Sequence, residues 1–138
     1  MKKIDHIAIY VDDMEAGLDF YGKILDGIPV VATVPELGIT CAFFAPAGYP
    51  AIELVSFSGK GELRHGDVVV AIEVEDLDAA LAHYRALGMK VYDQPPTENL
   101  PLRRGWITKA QGHGTIIELC VTGEIARFIE SRRTGSQA

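Results

Sequence analysis

The sequence predicts an α+β fold in which two βαβββ modules form a half-open, cup-shaped mixed β-sheet. Three observations lead there. The first is an internal repeat: His6–Tyr21, HIAIYVDDMEAGLDFY, returns 63 residues later as Val69–Tyr84, VVAIEVEDLDAALAHY, with seven of sixteen positions identical. The second is an echo at almost the same offset, Ile52-Glu53-Leu54 against Ile117-Glu118-Leu119. The third is a change of period, because each copy opens with strand-like alternation and passes into helical spacing. Self-similarity at one long period marks a duplicated structural unit. One helix among several strands in each unit argues for a mostly antiparallel sheet with helices on one face.

Each element follows from local pattern. Ile4–Val11 alternates, with Ile7, Ile9 and Val11 towards a core and His6, Ala8 and Tyr10 towards the concave side. Asp12 or Asp13 caps a helix to about Leu25, striped by Met14, Leu18, Tyr21 and Leu25 and ended by Asp26-Gly27. Ile28–Val34, Ile39–Ala45 and Ala51–Phe57 read as strands separated by Pro/Gly turns. Ile52 and Leu54 share the core face, so Glu53 turns to the concave one. Ser58–Gly66 is a polar linker. In the second module Val68–Val74 is a strand with Val69, Ala71 and Glu73 facing the cup. Leu77, Leu81, Tyr84 and Leu87 stripe a helix over Asp76–Leu87, which Gly88 stops. A strand at Lys90–Tyr92, a Pro-rich loop at Asp93–Leu102 and a hairpin of Arg103–Thr108 with Thr115–Val121 complete the module. Thr122–Arg133 is a terminal helix carrying Ile125, Phe128 and Ile129, and 134–138 a frayed tail. The expected organisation is one domain over 1–138, with modules of about 3–58 and 66–121.

Composition narrows the function classes. A net charge of −6 lacks the basic footprint of a nucleic-acid binder. No apolar run reaches membrane-spanning length, and Met1-Lys2-Lys3 leads into a strand rather than a signal peptide. Cys41 and Cys120 have neither metal-site spacing nor a disulfide framework, so a reduced, cytoplasmic setting is expected.

The repeat also brings chemistry together. Equivalent first strands supply His6 and Val69, and equivalent last strands supply Glu53 and Glu118. Carboxylates on a concave wall are costly unless a cation or proton compensates them. One imidazole and two carboxylates suit a divalent ion with open water positions. The plainer alternative is that both glutamates lie on the wet face of an antiparallel sheet and His6 is a satisfied polar group. Strand parity adds Cys41 and Phe43, matched by the repeat to Trp106 and Thr108, with Tyr10 and Glu73 at the far ends of the first strands. Such a lining suits a small, partly apolar ligand. Arg103, Arg104 and Lys109 are basic residues placed to meet a phosphate or carboxylate, or simply to solubilise.

DHIAIYVDDMEAGLDFY, PELGITCAFF with AIELV, GDVVVAIEVEDLDAALAHYRALG and GHGTIIEL together resemble the vicinal oxygen chelate superfamily over residues 4 to about 121. The likeness is greatest to methylmalonyl-CoA epimerases and glyoxalase I-like proteins. It implies a glyoxalase-like fold, a divalent metal (Mg, Mn, Zn, Ni or Co) on His6, Glu53, Glu118 and the residue at Val69, and a homodimer. It implies isomerase, epimerase or lyase chemistry through a metal-assisted enolate, with Glu53 or Glu118 doubling as base. Tyr10, Phe43, Val69, Glu73 and Trp106 would then bind substrate. The chain departs from the pattern twice: a usual metal histidine is Val69, and the usual epimerase glutamate falls near Cys41, a catalytic candidate only as a thiolate of lowered pKa. The rival expectation is a metal-free binding protein, for sequestration or resistance, on the same fold.

Overall fold

Eight strands make a single curled half-barrel whose order, β2-β3-β4-β1-β5-β8-β7-β6, reads the same outward from its centre in both directions. In the computed structural model, which describes residues 1–59 and 61–135, the first module runs β1 (Ile4–Tyr10), α1 (Met14–Leu25), β2 (Val30–Val34), β3 (Ile39–Phe44) and β4 (Ala51–Phe57). The second runs β5 (Val68–Val74), α2 (Leu77–Ala86), β6 (Tyr92–Gln94), β7 (Arg104–Ile107) and β8 (Ile116–Val121), and α3 (Glu124–Gly135) follows. The modules join within the chain through the antiparallel pair β1/β5, which sets His6 opposite Ala71 and Ala8 opposite Val69. Adding 63 to one member of each pair generates the other pair, so a pseudo-twofold axis passes between these strands.

Local signals repeat as the sequence does. Asp13 accepts a hydrogen bond from the Ala16 amide at 3.1 Å, and Asp76 accepts one from Ala79 at 3.1 Å, each filling an orphan donor of the first helical turn. Tyr21 packs beneath its sheet with Val11, Leu18 and Leu54, and Tyr84 beneath its own with Leu77, Leu81 and Leu119. Leu54 and Leu119 follow the two glutamates directly and are buried against the helices. Burying each is worth about 1.5–3 kcal/mol. A one-residue slip would expose them, so their burial also fixes Glu53 and Glu118 on the opposite face.

The sequence reading needs correction in four places. α3 lies on the concave face, not with α1 and α2: its Ile125, Phe128 and Ile129 pack with Ala32, Val34, Cys41, Ala71 and Cys120, closing one end of the cup. The sixth strand is Tyr92–Gln94 rather than Lys90–Tyr92, because Val91 turns into the α2 core while Tyr92 and Gln94 pair with Trp106 and Arg104. Leu87 is exposed beyond the end of α2. Thr134 and Gly135 continue α3, and 136–138 of the expected frayed tail lie outside the described residues. Among the described residues no helix is long and apolar enough to cross a membrane.

Candidate active site

The cup between the modules encloses about 810 Å³, lined by residues of both. His6 of β1, 1% exposed, lies against two of the lining carboxylates. Its Nε2 lies 3.2 Å from Glu53 Oε1 on β4 and 3.1 Å from Glu118 Oε2 on β8. Neither carboxylate is aligned as a hydrogen-bond partner, so this buried nitrogen is left without one.

Asp5 holds the ring from behind, with Oδ2 2.6 Å from Nδ1. Strict alternation would turn Asp5 away from its neighbour His6. A β-bulge between Ile4 and His6 in the β1/β5 ladder removes that restriction, since a bulge brings consecutive side chains towards one side. Asp5 is therefore a site residue that sequence periodicity misses. Its only sequence signal is adjacency to the histidine.

Electrostatics tie the group together. Burial alone would lower the His6 pKa, but the Glu118 charge, the Asp5 hydrogen bond and Glu53 outweigh it and raise it to about 12. For Glu118 burial pushes upward, while the His6 and Arg104 charges and the Arg104 hydrogen bond hold its pKa down at about 2. Arg104 reaches Glu118 Oε1 through Nη1 at 3.1 Å, and its guanidinium carbon sits 5.1 Å from the Trp106 ring centre. Trp106 is fixed in turn by a 2.6 Å hydrogen bond from Nε1 to Gln94.

The donor types suit a divalent ion and each glutamate lies close to Nε2, although among the described residues the set whose donor atoms all lie within 4.8 Å of one another is Asp5, His6 and Cys120, not His6, Glu53 and Glu118. Two cis donors at about 2.1 Å from an octahedral ion stand about 3.0 Å apart, and the Nε2 separations of 3.1 and 3.2 Å match that spacing. The carboxylate behind Nδ1 is the partner a ligating histidine ordinarily has. Asp5, His6 and Cys120 bring donor atoms within 4.8 Å of one another. There the Asp5 oxygen is engaged with the ring, and burial with the nearby Glu118 and Asp5 charges pushes the Cys120 thiol pKa far upward. Asp5 therefore serves the imidazole rather than a metal-ligand set with Cys120.

Comparison with known proteins agrees with this architecture. The family model described as Glyoxalase/Bleomycin resistance protein/Dioxygenase superfamily matches residues 3–117. The chain belongs to this superfamily. No curated protein matches it. Among solved structures it is similar to methylmalonyl-CoA epimerase from Mycobacterium tuberculosis, at 25% identity and a TM-score of 0.70, with 86% of each chain covered. A hypothetical protein from Bacillus halodurans C-125 shares 21% identity at a TM-score of 0.73, covering 89% of this chain and 96% of the other. A methylmalonyl-CoA epimerase in complex with methylmalonyl-CoA and NH4+ shares 22% at 0.72, covering 90% and 96%.

Superfamily membership makes the placement of the other expected residues informative. Tyr10, Val69 and Trp106 line the cup with Glu53 and Glu118. Phe43 does not: it is 2% exposed and packs edge-on against Phe128 of α3, ring centres 6.1 Å apart. Glu73 lines a separate cavity of about 440 Å³ with Asp5, Tyr49 and Ile129. Its strand carries it beyond Ala71, past the part of the cup that α3 fills.

Cys41 is buried in the α3 cluster. Burial, the neighbouring Glu53 charge and a hydrogen bond to Glu53 raise its thiol pKa well above normal, so the thiolate needed for a base is disfavoured. The expected match of Cys41 and Phe43 with Trp106 and Thr108 is also out by two residues. Phe43 faces Glu53 as Trp106 faces Glu118, and Cys41 faces Val55 as Arg104 faces Cys120. The module-two counterpart of Cys41 is therefore Arg104.

Proposed function

We propose that this chain is a metal-dependent isomerase or lyase of the vicinal oxygen chelate type, acting by proton abstraction beside a substrate carbonyl. His6, Glu53 and Glu118 would hold the divalent ion, which when bound supplies Lewis-acid stabilisation of developing enolate charge. Glu118 is committed on both oxygens, to His6 and Arg104, and is a poor proton acceptor at about pKa 2. Glu53 lines the cup with no such second cation and is the better base. Its carboxylate lines the cup, within reach of a proton on a bound substrate. Tyr10, Phe57, Leu63, Val69 and Trp106 supply apolar walls that exclude water from the reacting carbon.

One observation carries this reading: a buried imidazole nitrogen held from behind by Asp5 and poised between two carboxylates without an aligned partner. Titration calorimetry with Mn²⁺, Co²⁺ and Zn²⁺ tests it, together with metal analysis of the purified protein. Wild type should bind one ion, and His6→Ala and Glu118→Gln should bind none. The loaded protein should also exchange the α-proton of an acyl thioester or 2-oxo acid in D₂O, and Glu53→Gln should not.

A metal-free binding protein is the second reading. It is favoured by Val69, which gives the site an apolar wall with Ala8 and Ile116, and by the internal compensation of Glu118 by His6 and Arg104. Undetectable metal binding with retained ligand binding would select it. A homodimer is proposed through the exposed Phe20, Ile24, Ile28 and Val31 beside edge strand β2, to be tested by light scattering.

A further inference from the structure

Among the described residues, Arg104 is the only lysine or arginine lining the cup, where the other charged residues are Glu36, Glu53, Glu62 and Glu118. A guanidinium carries five N–H donors. Among the described residues only Nη1 is used, on Glu118, and Nε is buried with no acceptor. Leaving a buried donor unmatched is unfavourable, more so for a charged group.

The group is also held in place. Trp106 lies against it, and Gln94 fixes Trp106. Such a cation has lost its side-chain freedom before any ligand arrives, which favours binding. The rim carboxylates are occupied elsewhere: Glu36 accepts from the Asn99 backbone and side chain, and Glu62 from the Lys109 amide. They add negative charge at the mouth, which opposes a heavily charged ligand while tolerating a single anionic group that reaches Arg104.

We infer that Arg104 is a specificity-determining residue that receives the carboxylate of the substrate, so that the cup takes a small carboxylic acid with an apolar body. A planar guanidinium matches a carboxylate by paired hydrogen bonds, and Trp106, Tyr10, Phe57 and Leu63 accommodate the body. The inference deepens the proposed function and rests on its choice of this cup as the substrate site. The pseudo-twofold adds weight: Cys41, in the equivalent place, is covered by α3, whereas Arg104 remains at the cavity.

The chain's single tryptophan is Trp106, so its fluorescence reports directly on this contact. Metal-free protein is titrated with phenylacetate and with the neutral isostere phenylacetamide. Wild type should prefer the acid by about tenfold or more, as expected for one charge-assisted bidentate contact. Arg104→Gln should abolish the preference and Arg104→Lys retain part of it. Glu118→Gln, which removes the competing negative charge from Nη1, should strengthen phenylacetate binding and keeps the test decisive if Arg104→Gln fails to fold. Equal affinity for acid and amide, no binding of either, or a preference that survives Arg104→Gln overturns the inference. Loss of metal binding with the acid preference intact would sink the metal reading and leave this one standing. Metal binding without the preference would do the reverse.

Discussion

Asp5 and His6 are sequence neighbours whose side chains meet on one side of a strand, Oδ2 and Nδ1 2.6 Å apart. The bulge that allows this lies at the end of β1, where the ladder to β5 skips a residue. The hydrogen bond fixes the ring orientation, with Nε2 facing Glu53 and Glu118. Asp5→Asn should preserve the fold and weaken metal binding by about 10–100-fold, the usual loss when such a supporting carboxylate is removed. Calorimetric titration of wild type, Asp5→Asn and His6→Ala measures it. Unchanged affinity in Asp5→Asn would show that the ring needs no such support.

Protonation gives a second expectation. The His6 pKa is raised from 6.5 to about 12, so its contribution to stability is complete below pH 6.5 and is lost as pH rises towards 12. The Glu118 pKa is lowered from 4.5 to about 2, so its contribution is present above pH 4.5 and is lost as pH falls towards 2. Metal-free protein should therefore melt highest between about pH 4.5 and 6.5, with an alkaline decline that His6→Gln flattens. A divalent ion must displace the Nε2 proton, so affinity should climb with pH and one proton should be released. Calorimetry in two buffers of different ionisation enthalpy counts it, and zero release would contradict a charged His6.

Thiol chemistry provides a third. Cys41 and Cys120 are each 2% exposed, with thiol pKa values raised by burial and nearby carboxylates. Both should resist an aromatic disulfide reagent in the folded protein, and both should react on unfolding. One thiol reacting quickly at neutral pH in the native state would restore Cys41 as a candidate nucleophile or base.

These residues show how far one sequence carries. The repeat places His6, Glu53 and Glu118 on one face because Leu54 and Leu119 repeat with the glutamates and force the register. Alternation cannot show Asp5, since a bulge breaks the period on which the reading depends. Nor does it reveal that α3 returns to the concave side: amphipathic spacing says that Ile125, Phe128 and Ile129 are buried, not against which face. That one docking removes Phe43 and Cys41 from the cup and separates Glu73 from it. Arg104 has the composition of a surface residue, and only the β7/β8 register places its guanidinium against Glu118.

Val69 offers the most direct engineering test. Under the pseudo-twofold, Val69 stands to Glu53 as His6 stands to Glu118. His6 neighbours Ala71, which pairs with Glu118, and Val69 neighbours Ala8, which pairs with Glu53. Both intervening residues are alanines, leaving space over the sheet between each first-strand position and its glutamate. Val69 itself borders the cup, packed with Ala8, Ile116, Leu63 and Trp106. Val69→His would complete a symmetric set of two imidazoles and two carboxylates. Exchanging a packed valine for a larger polar ring should cost the metal-free protein about 1–3 kcal/mol, seen as a lower melting temperature. Added Zn²⁺ or Ni²⁺ should restore it, because an ion bound only by the folded state stabilises by mass action. Metal affinity should rise at least severalfold over wild type, as a fourth protein ligand replaces water. If Val69→His binds metal no better than wild type while keeping its fold, the two glutamates and His6 do not define a centre on this axis, and the metal-free binding protein becomes the better account of the cup.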